Sequence, residues 1–599
     1  MPSPALVRDS TFGQLVNWAS NGRYFPYDDQ RPGYVVPARY LAAPPSPARS
    51  GSVALPPSRT ISQAPTTVDP IASSPELPPS RTVSEAPTTV ESIVSPPETL
   101  VNSNAVCKDL STDDGKAREF DLEKSDAPVP AAEYPFLVTF DENDPDRPQN
   151  WSSRKRNFVG FLIALLTFSI YVGSAIYTPS IPGIMEEFGA SQVGATAGLT
   201  LFVAGYGISP MVLAPMQEVG KLGRNPVYIG GLAVFVIFNV PPLFAKNLET
   251  ILVSRFIQGL AGGPALATGG ASMGDIFPPH HFAVALSIWS MGAVLGPIAG
   301  PVIGGFAAQY ENWKWPFLEL LWISGAAFVV LFFVLPETYE DTVLLRRAQR
   351  LRKLTGNELI KAPCEVGRSA DETVGSVVME NMYRAIRLSL EPSILVANSY
   401  IALVYAIFYL WFEAFPLTFE IGAGFSLGLA GLPYLGFVVS GVITLVVYIW
   451  YQLKVLNPRL DNNPELGPEV RLELALFAAV CIPISLFGFG WTAQTHQHWM
   501  LPIVFAAVYL PGIYLAFQSI MVYISISYPK YAASVLAGND LFRSVFASVF
   551  PLFGTKFFGA LGLGGGSSLL AGVSILMIPV LYTIMKMGAT LRARSRFAE

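Results

Sequence analysis

Residues 158–179 read Phe-Val-Gly-Phe-Leu-Ile-Ala-Leu-Leu-Thr-Phe-Ser-Ile-Tyr-Val-Gly-Ser-Ala-Ile-Tyr-Thr-Pro, a run without one charged side chain, just after Arg154-Lys155-Arg156. A helix needs roughly 20 predominantly apolar residues to cross a bilayer, so the run reads as a membrane span. Eleven further stretches repeat the pattern. The approximate spans are 158–179, 194–216, 226–245, 251–275, 283–308, 316–335, 394–416, 426–453, 471–490, 499–526, 531–556 and 567–587. The longest gap, 336–393, divides them six and six. The expected architecture is an all-α membrane protein of twelve transmembrane helices. A six-helix half, 151–335, is followed by a central loop, 336–393, a second half, 394–587, and a tail, 588–599.

Composition agrees with lipid as the solvent. Of 599 residues 51% are hydrophobic and 14% charged, with mean hydropathy +0.41, where a soluble chain carries about 25% charged residues. The net charge of -5 is concentrated in the N-terminal segment and a few loops, which leaves no basic footprint for nucleic acid. Cys107, Cys364 and Cys481 are isolated, without metal-ligand or redox spacing. The His496-x-His498 pair and His280-His281 make no expected metal site, and no cofactor is implied. No GxxxxGK[ST] loop is present, so energy for transport must come from a gradient rather than ATP. The extreme N-terminus lacks the basic and apolar regions of a cleaved signal, so the first span is expected to act as its own insertion signal.

Residues 1–150 differ from the rest: Pro, Ser, Thr and charge dominate, and a mostly disordered region is expected. Within it Leu55–Glu76 and Leu77–Glu98 form a tandem repeat of 22 residues. A duplicated linker and a regulatory element phosphorylated at Ser62 and Ser84, each three residues after an Arg, are both open readings. Ahead of the repeat, Leu6, Phe12, Leu15, Val16 and Ala19 fall on one helical face, with Trp18 and Tyr24 nearby, which leaves an interfacial helix open as well.

Basic residues set the expected orientation. Arg154-Lys155-Arg156, the Arg346-Arg347-x-x-Arg350-x-Arg352-Lys353 cluster and Arg592, Arg594 and Arg596 all fall on one side, whereas the other side holds Lys246, Lys314 and Lys556. The positive-inside rule puts both termini in the cytoplasm.

Three motifs carry the chemistry. Residues 214–226 read Ala-Pro-Met-Gln-Glu-Val-Gly-Lys-Leu-Gly-Arg-Asn-Pro, in which Glu218 and Arg224, with Gly223 between them, can form a charge-assisted latch at the edge of packed helices. Span four holds Arg255 in Arg255-Phe-Ile-Gln258-Gly, where an Arg costs roughly 2.5–3.5 kcal/mol and must face protein or water. Its expected role is to depress the pKa of a nearby carboxylate or to stabilise a charged intermediate, since Arg does not itself release a proton. Span five reads Gly292-Ala-Val-Leu-Gly296-Pro297-Ile-Ala-Gly300-Pro301-Val-Ile-Gly304-Gly305: glycines every four residues admit a neighbouring helix, and the prolines bend their own.

Two six-helix halves joined by a long basic loop resemble the major facilitator superfamily. The 214–226 stretch resembles its Gly-x-Leu-Ala-Asp-x-x-Gly-Arg-Arg motif, with Ala214 and Asn225 as departures. Arg255-x-x-Gln258-Gly259 resembles the motif linked to proton coupling in antiporters, and the Gly–Pro pattern of span five resembles the antiporter mark. Further stretches are similar to the fungal twelve-spanner drug:proton antiporters of the multidrug, benomyl and azole resistance branch. These are Asp144-Pro145 with Pro148-Gln-Asn-Trp-Ser152, Leu335-Pro-Glu-Thr338, and Ala537-Gly-Asn539 leading to Arg543-Ser544. The resemblance covers about 140–599. The Pro-Glu-Ser-Pro-Arg stretch of sugar porters is replaced here by Pro336-Glu-Thr-Tyr339.

A proton-coupled carrier needs a titratable group on its route, and Glu413 in span seven is the candidate, with Arg255 as the other residue expected to serve proton coupling; a position at the outer end would instead make Glu413 a surface residue. Asp540 and Arg543 read as an ion pair or a gate. Tyr405, Tyr409, Trp411, Phe412, Tyr514 and Gln518, with Gln258 and Asn539, are the expected cavity residues, suited to apolar or aromatic molecules. The reading is a proton-coupled exporter of toxic small organic molecules, not an enzyme, working as a monomer in the plasma membrane. A proton symporter importing a nutrient and a non-transporting sensor are the competing readings.

Overall fold

Ser152 opens the first long helix, its hydroxyl accepting from the Lys155 N–H, and the polypeptide then crosses back and forth as the hydropathy requires. The computed structural model describes residues 4–20, 23–31, 33–41, 136–366, 374–463, 466–495, 498–528 and 531–595. The tandem repeat, Ser62, Ser84, Cys107 and His496 lie outside them. The described residues belong to one unit, Met1–Ala42 with Val129–Glu599.

The first half consists of α1 (Ser153–Ala175), α2 (Gln192–Gln217), α3 (Arg224–Phe238), α4 (Leu248–Ala267), α5 (Pro279–Tyr310) and α6 (Trp315–Val334). The second consists of α7 (Pro392–Phe415), α8 (Leu435–Tyr451), α9 (Leu472–Gln494) and α10 (Tyr509–Ser527), then α11 and α12, the two arms of the helical stretch Ala532–Arg594. That stretch turns at Gly562, whose φ of +72° a side chain would strain, so no long loop separates the last two spans. Among the described residues, ten helical segments are long and apolar enough to cross a membrane. One of these is the α11–α12 stretch, which crosses twice, and α4, less apolar because it carries Glu249, Arg255 and Gln258, adds a further crossing, so the architecture is twelve spans in two halves.

Close backbone approach holds the first half together. A Cβ on Gly259 of α4 would lie 2.2 Å from the Phe202 carbonyl oxygen of α2, and one on Gly205 would lie 2.6 Å from that of Phe256, so the two helices cross with no side chain between them. The span-five ladder works the same way against α1 and the turn after it. Cβ atoms on Gly296, Gly300 and Gly304 would lie 2.5 Å from Tyr171 Cβ, 2.5 Å from the Ile176 nitrogen and 2.7 Å from its carbonyl oxygen, while Gly292 is looser at 3.4 Å from Ala164. Gly305 instead faces the second half at Leu427.

On the face that bears residues 153 and 594, a small second core surrounds the helix Glu340–Thr355. Leu344, Leu345, Ala348 and Leu351 pack against Tyr40, Phe136, Val138 and Ile360. Ion pairs clamp the same helix: Arg347 to Asp144 and Asp146, Arg350 to Asp29, and Arg147 to Glu340. Burial by itself would raise the Asp144 carboxyl, but the hydrogen bonds from Arg347 and the backbone hold it below the usual range. A second helix, Val374–Ser389, places Ala385 against Met211 of α2 and Ala537 of α11.

Candidate functional site

The two halves meet along α2 and α11, where the Thr200 hydroxyl donates to the Ser548 carbonyl at 2.8 Å and Gly207 lies against Ser544. At the face away from the termini they also meet through α5, since Gln309 accepts from the Gly428 N–H at 2.7 Å. Between these contacts lies a cleft. The first half supplies Tyr171, Trp289, Ser290 and Pro297, and the second supplies Tyr405, Phe408, Tyr514, Phe517 and Arg543. Apolar surface dominates its wall, and Arg543 is the charged side chain among the described lining residues.

Arg543 is 4% exposed and pairs with Asp540, one turn earlier on α11 and 3% exposed. Its guanidinium lies 4.6 Å from the centre of the Tyr405 ring and 5.5 Å from that of Phe517, so its cationic face is held among aromatics. The second Asp540 oxygen, Oδ2, is buried without a hydrogen-bond partner among the described residues. Phenols fix the wall: the Tyr206 hydroxyl shares hydrogen bonds with Tyr405 at 3.0 Å and Tyr409 at 3.1 Å. The Tyr514 hydroxyl donates to the Ser287 carbonyl at 2.7 Å, and the Gln518 amide donates to the Ser290 hydroxyl. The cleft is therefore a site in which each half recognises the other through polar atoms on an apolar background.

The remaining expected residues fall elsewhere. Tyr405 and Tyr514 line the cleft, and Tyr409 and Gln518 brace it through their bonds. Trp411 packs instead against Phe489 of α9 and Tyr509 of α10, Phe412 stacks on Tyr434, and the Asn539 amide donates to Asn398 at 2.7 Å. All three belong to the interior of the second half, because an apolar helix whose every face is aromatic does not reveal which face meets the other half. Gln258 belongs to the interior of the first, donating to the Phe238 carbonyl at 2.7 Å.

Arg255 is fully buried, donating to the carbonyls of Gly198 and Ser174 and to Gln258 Oε1 at 3.1–3.3 Å. It sits 4.3 Å from the Phe202 ring centre. No carboxylate among the described residues lies in ion-pair range, so the expected acid beside Arg255 is absent there. Carbonyl dipoles and ring faces replace it. Glu413 is 6% exposed and accepts from the Thr555 hydroxyl at 2.5 Å, between α7 and α11. It is neither a surface residue nor part of the cleft lining.

The latch is also wired differently from the expectation. Arg224 pairs with Asp275, at the end of the short helix that follows α4, rather than with Glu218. Glu337, from the turn after α6, accepts from the backbone N–H groups of Arg224 at 3.0 Å and Asn225 at 3.4 Å, capping α3 from outside. Gly223 has φ +74°, a backbone conformation that a side chain would strain, and a Cβ there would also press on the Glu337 carboxylate at 2.5 Å. Glu218 borders the space between the halves near Ala385 and Ala537. Removing the Arg224 partner should leave a buried charge behind. Because Asp275 is 17% exposed on its side chain, Asp275→Ala is expected to cost about 2–3 kcal/mol, below the full buried-pair range. Thermal unfolding in detergent reads it, and an unchanged midpoint would refute the pairing.

Sequence reading overlooked Asp275, Tyr171, Tyr206, Trp289 and Ser290. Each is a polar or amphipathic residue inside an apolar run, which signals a buried partner without indicating which one.

A family model described as Major Facilitator Superfamily matches residues 163–551. The Cycloheximide resistance protein of Candida maltosa is 34% identical over 99% of this chain and 100% of its own. The Multidrug transporter FLR2 of Candida glabrata is 38% identical over 80% of this chain and 82% of its own. Among solved structures, one of the proton:xylose symporter XylE superimposes with TM-score 0.51 at 14% identity, covering 73% of this chain and 97% of that one, a likeness of fold alone.

Proposed function

Because the chain belongs to the major facilitator superfamily, we propose that it is a proton-coupled antiporter that exports toxic small organic molecules, such as drugs, fungicides or secondary metabolites, by alternating access. The observation that carries this reading is the cleft between the halves: a largely apolar, aromatic wall with one paired guanidinium suits apolar or aromatic molecules. Relatives named for cycloheximide resistance and multidrug transport support the direction and the substrate class.

In this reading both termini and the Glu340–Thr355 helix lie in the cytoplasm, the protein is a monomer of the plasma membrane, and the described parts of the N-terminal region expected to be disordered, within 4–41 and 136–150, instead pack on the carrier. The Arg224 cluster is the latch on the cytoplasmic edge, and the Gly292–Gly304 ladder keeps α5 seated on α1 and the turn after it while the halves rock. Glu413 takes up the proton: it is buried, lacks a cation partner among the described residues, and is held by one hydroxyl. Arg255 organises the first half without carrying a proton.

Inside-out vesicles with an acidic lumen should accumulate cycloheximide and lose acidity as they do so. Accumulation indifferent to the pH gradient would overturn proton coupling, and proton movement in the same direction as the drug would favour the symporter. Glu413→Gln should bind the compound with unchanged affinity and lose gradient-driven accumulation. Full gradient dependence in that variant removes Glu413 from the mechanism.

A further inference from the structure

The helix Thr11–Ala19 begins with Ser10 as its cap, the hydroxyl accepting from the Gly13 N–H. At 100° per residue Phe12, Leu15, Val16 and Ala19 share one face, with Trp18 at its margin, and Gln14 lies on the other. Contacts fix where the two faces look. Gln14 donates to the Tyr27 hydroxyl at 3.2 Å, toward the ion-paired cluster of Asp29 and Arg350. Phe12 lies 4.7 Å from Phe333 and 6.2 Å from Phe332, ring centre to ring centre, in the last turn of α6.

Phe333 is 40% exposed at the end of a spanning helix, so it belongs to the lipid-facing band. The face bearing Phe12 continues that band outward: Leu15 is 52% and Trp18 84% exposed, and Tyr24 follows at 70%. Arg23, shortly after the helix, and Arg154, next to the Lys155 that pairs with Asp9, are both exposed. An apolar stripe with aromatic and basic margins, continuous with a lipid-facing helix end, has the chemistry of a bilayer interface.

We propose that Thr11–Ala19 lies in the plane of the membrane surface, its Phe12–Leu15–Trp18 side sunk into the boundary between headgroups and acyl chains of the leaflet at the end of α6. The helix is also tied to the latch. The Glu337 N–H donates to the Asp9 carbonyl at 3.3 Å, and the Thr11 hydroxyl bonds Asn225 at 3.1 Å. The lipid surface thereby seats the Pro336-Glu337 turn, whose carboxylate caps α3 beside Arg224.

The test uses the full chain in phosphatidylcholine liposomes, with the native cysteines replaced by serine and an environment-sensitive fluorophore at Trp18→Cys. Lys353→Cys, exposed on the Glu340–Thr355 helix, is the aqueous comparison. Brominated acyl chains should quench about half or more of the Trp18 signal, as expected for a side chain at 5–10 Å depth, and little of the Lys353 signal. Aqueous iodide should do the reverse. Tyr24→Cys serves as a second reporter if the label at Trp18 disturbs the seat. Iodide-accessible labels at both Trp18 and Tyr24 would overturn the proposal. So would labels shielded from iodide yet untouched by brominated lipid, which would mark a protein-covered face.

Discussion

Arg543→Ala is expected to abolish transport and to cost about 3–5 kcal/mol of stability, the range for breaking a buried pair by removing one partner. Three observations set the size. Arg543 and Asp540 are 4% and 3% exposed, so neither charge is relaxed by solvent. Asp540 Oδ2 already lacks a partner among the described residues, so the substitution leaves the carboxylate almost bare. The guanidinium also packs on Tyr405, so its loss empties part of the wall. Asp540→Ala should cost a comparable amount, whereas the double variant should lose clearly less than the sum, because replacing both partners removes the stranded charge. Stability is read from thermal unfolding in detergent and transport from drug accumulation in vesicles. A stable double variant that still exports would exclude Arg543 from the site, and additive single effects would exclude the pair.

Gly300→Val should prevent α5 from seating on α1. The first added atom would stand 2.5 Å from the Ile176 nitrogen, 2.8 Å from the Ala175 carbonyl carbon and 3.1 Å from the Ile176 Cα. All three are backbone atoms, so no rotamer change relieves the clash, and the helices must move apart along the whole ladder. Overpacking a close-packed interior costs about 1–3 kcal/mol when side chains can yield, and more is expected where they cannot. Comparison sites lie in the same half. Gly325→Ala in α6 adds its methyl to open space, and Gly292→Ala meets its nearest atom at 3.4 Å, so both should fold normally. The recovered fraction of monodisperse protein after detergent extraction should fall severalfold for Gly300→Val alone. Normal recovery of that variant would mean that the α1–α5 contact is looser than the distances require.

The spans were legible in the sequence because the bilayer imposes one requirement on every residue in a run, and that requirement leaves a local, one-dimensional trace. Gly292, Gly296, Gly300 and Gly304 were legible for a similar reason: helical repeat and side-chain size are both local properties. Arg255 stood out as a buried polar group by its cost alone. Its partners did not, because Gly198 and Ser174 act through backbone carbonyls that every residue possesses. The latch shows the same limit. Glu218 was the carboxylate nearest in sequence to Arg224, whereas the paired one is Asp275, 51 positions away.

By itself, then, the sequence determined that the chain spans a membrane as two sets of six helices, which helix is built for close approach, and which charges must be buried. Tertiary structure alone decided which carboxylate meets which guanidinium, that Arg543 rather than Glu413 or Arg255 stands in the cleft wall, and that Trp411, Phe412 and Asn539 face inward within their own half. The physical reason is that hydrophobic burial sums over residues along a chain, whereas ion pairing and cavity lining depend on angles and distances between helices that are fixed only once the whole bundle is packed.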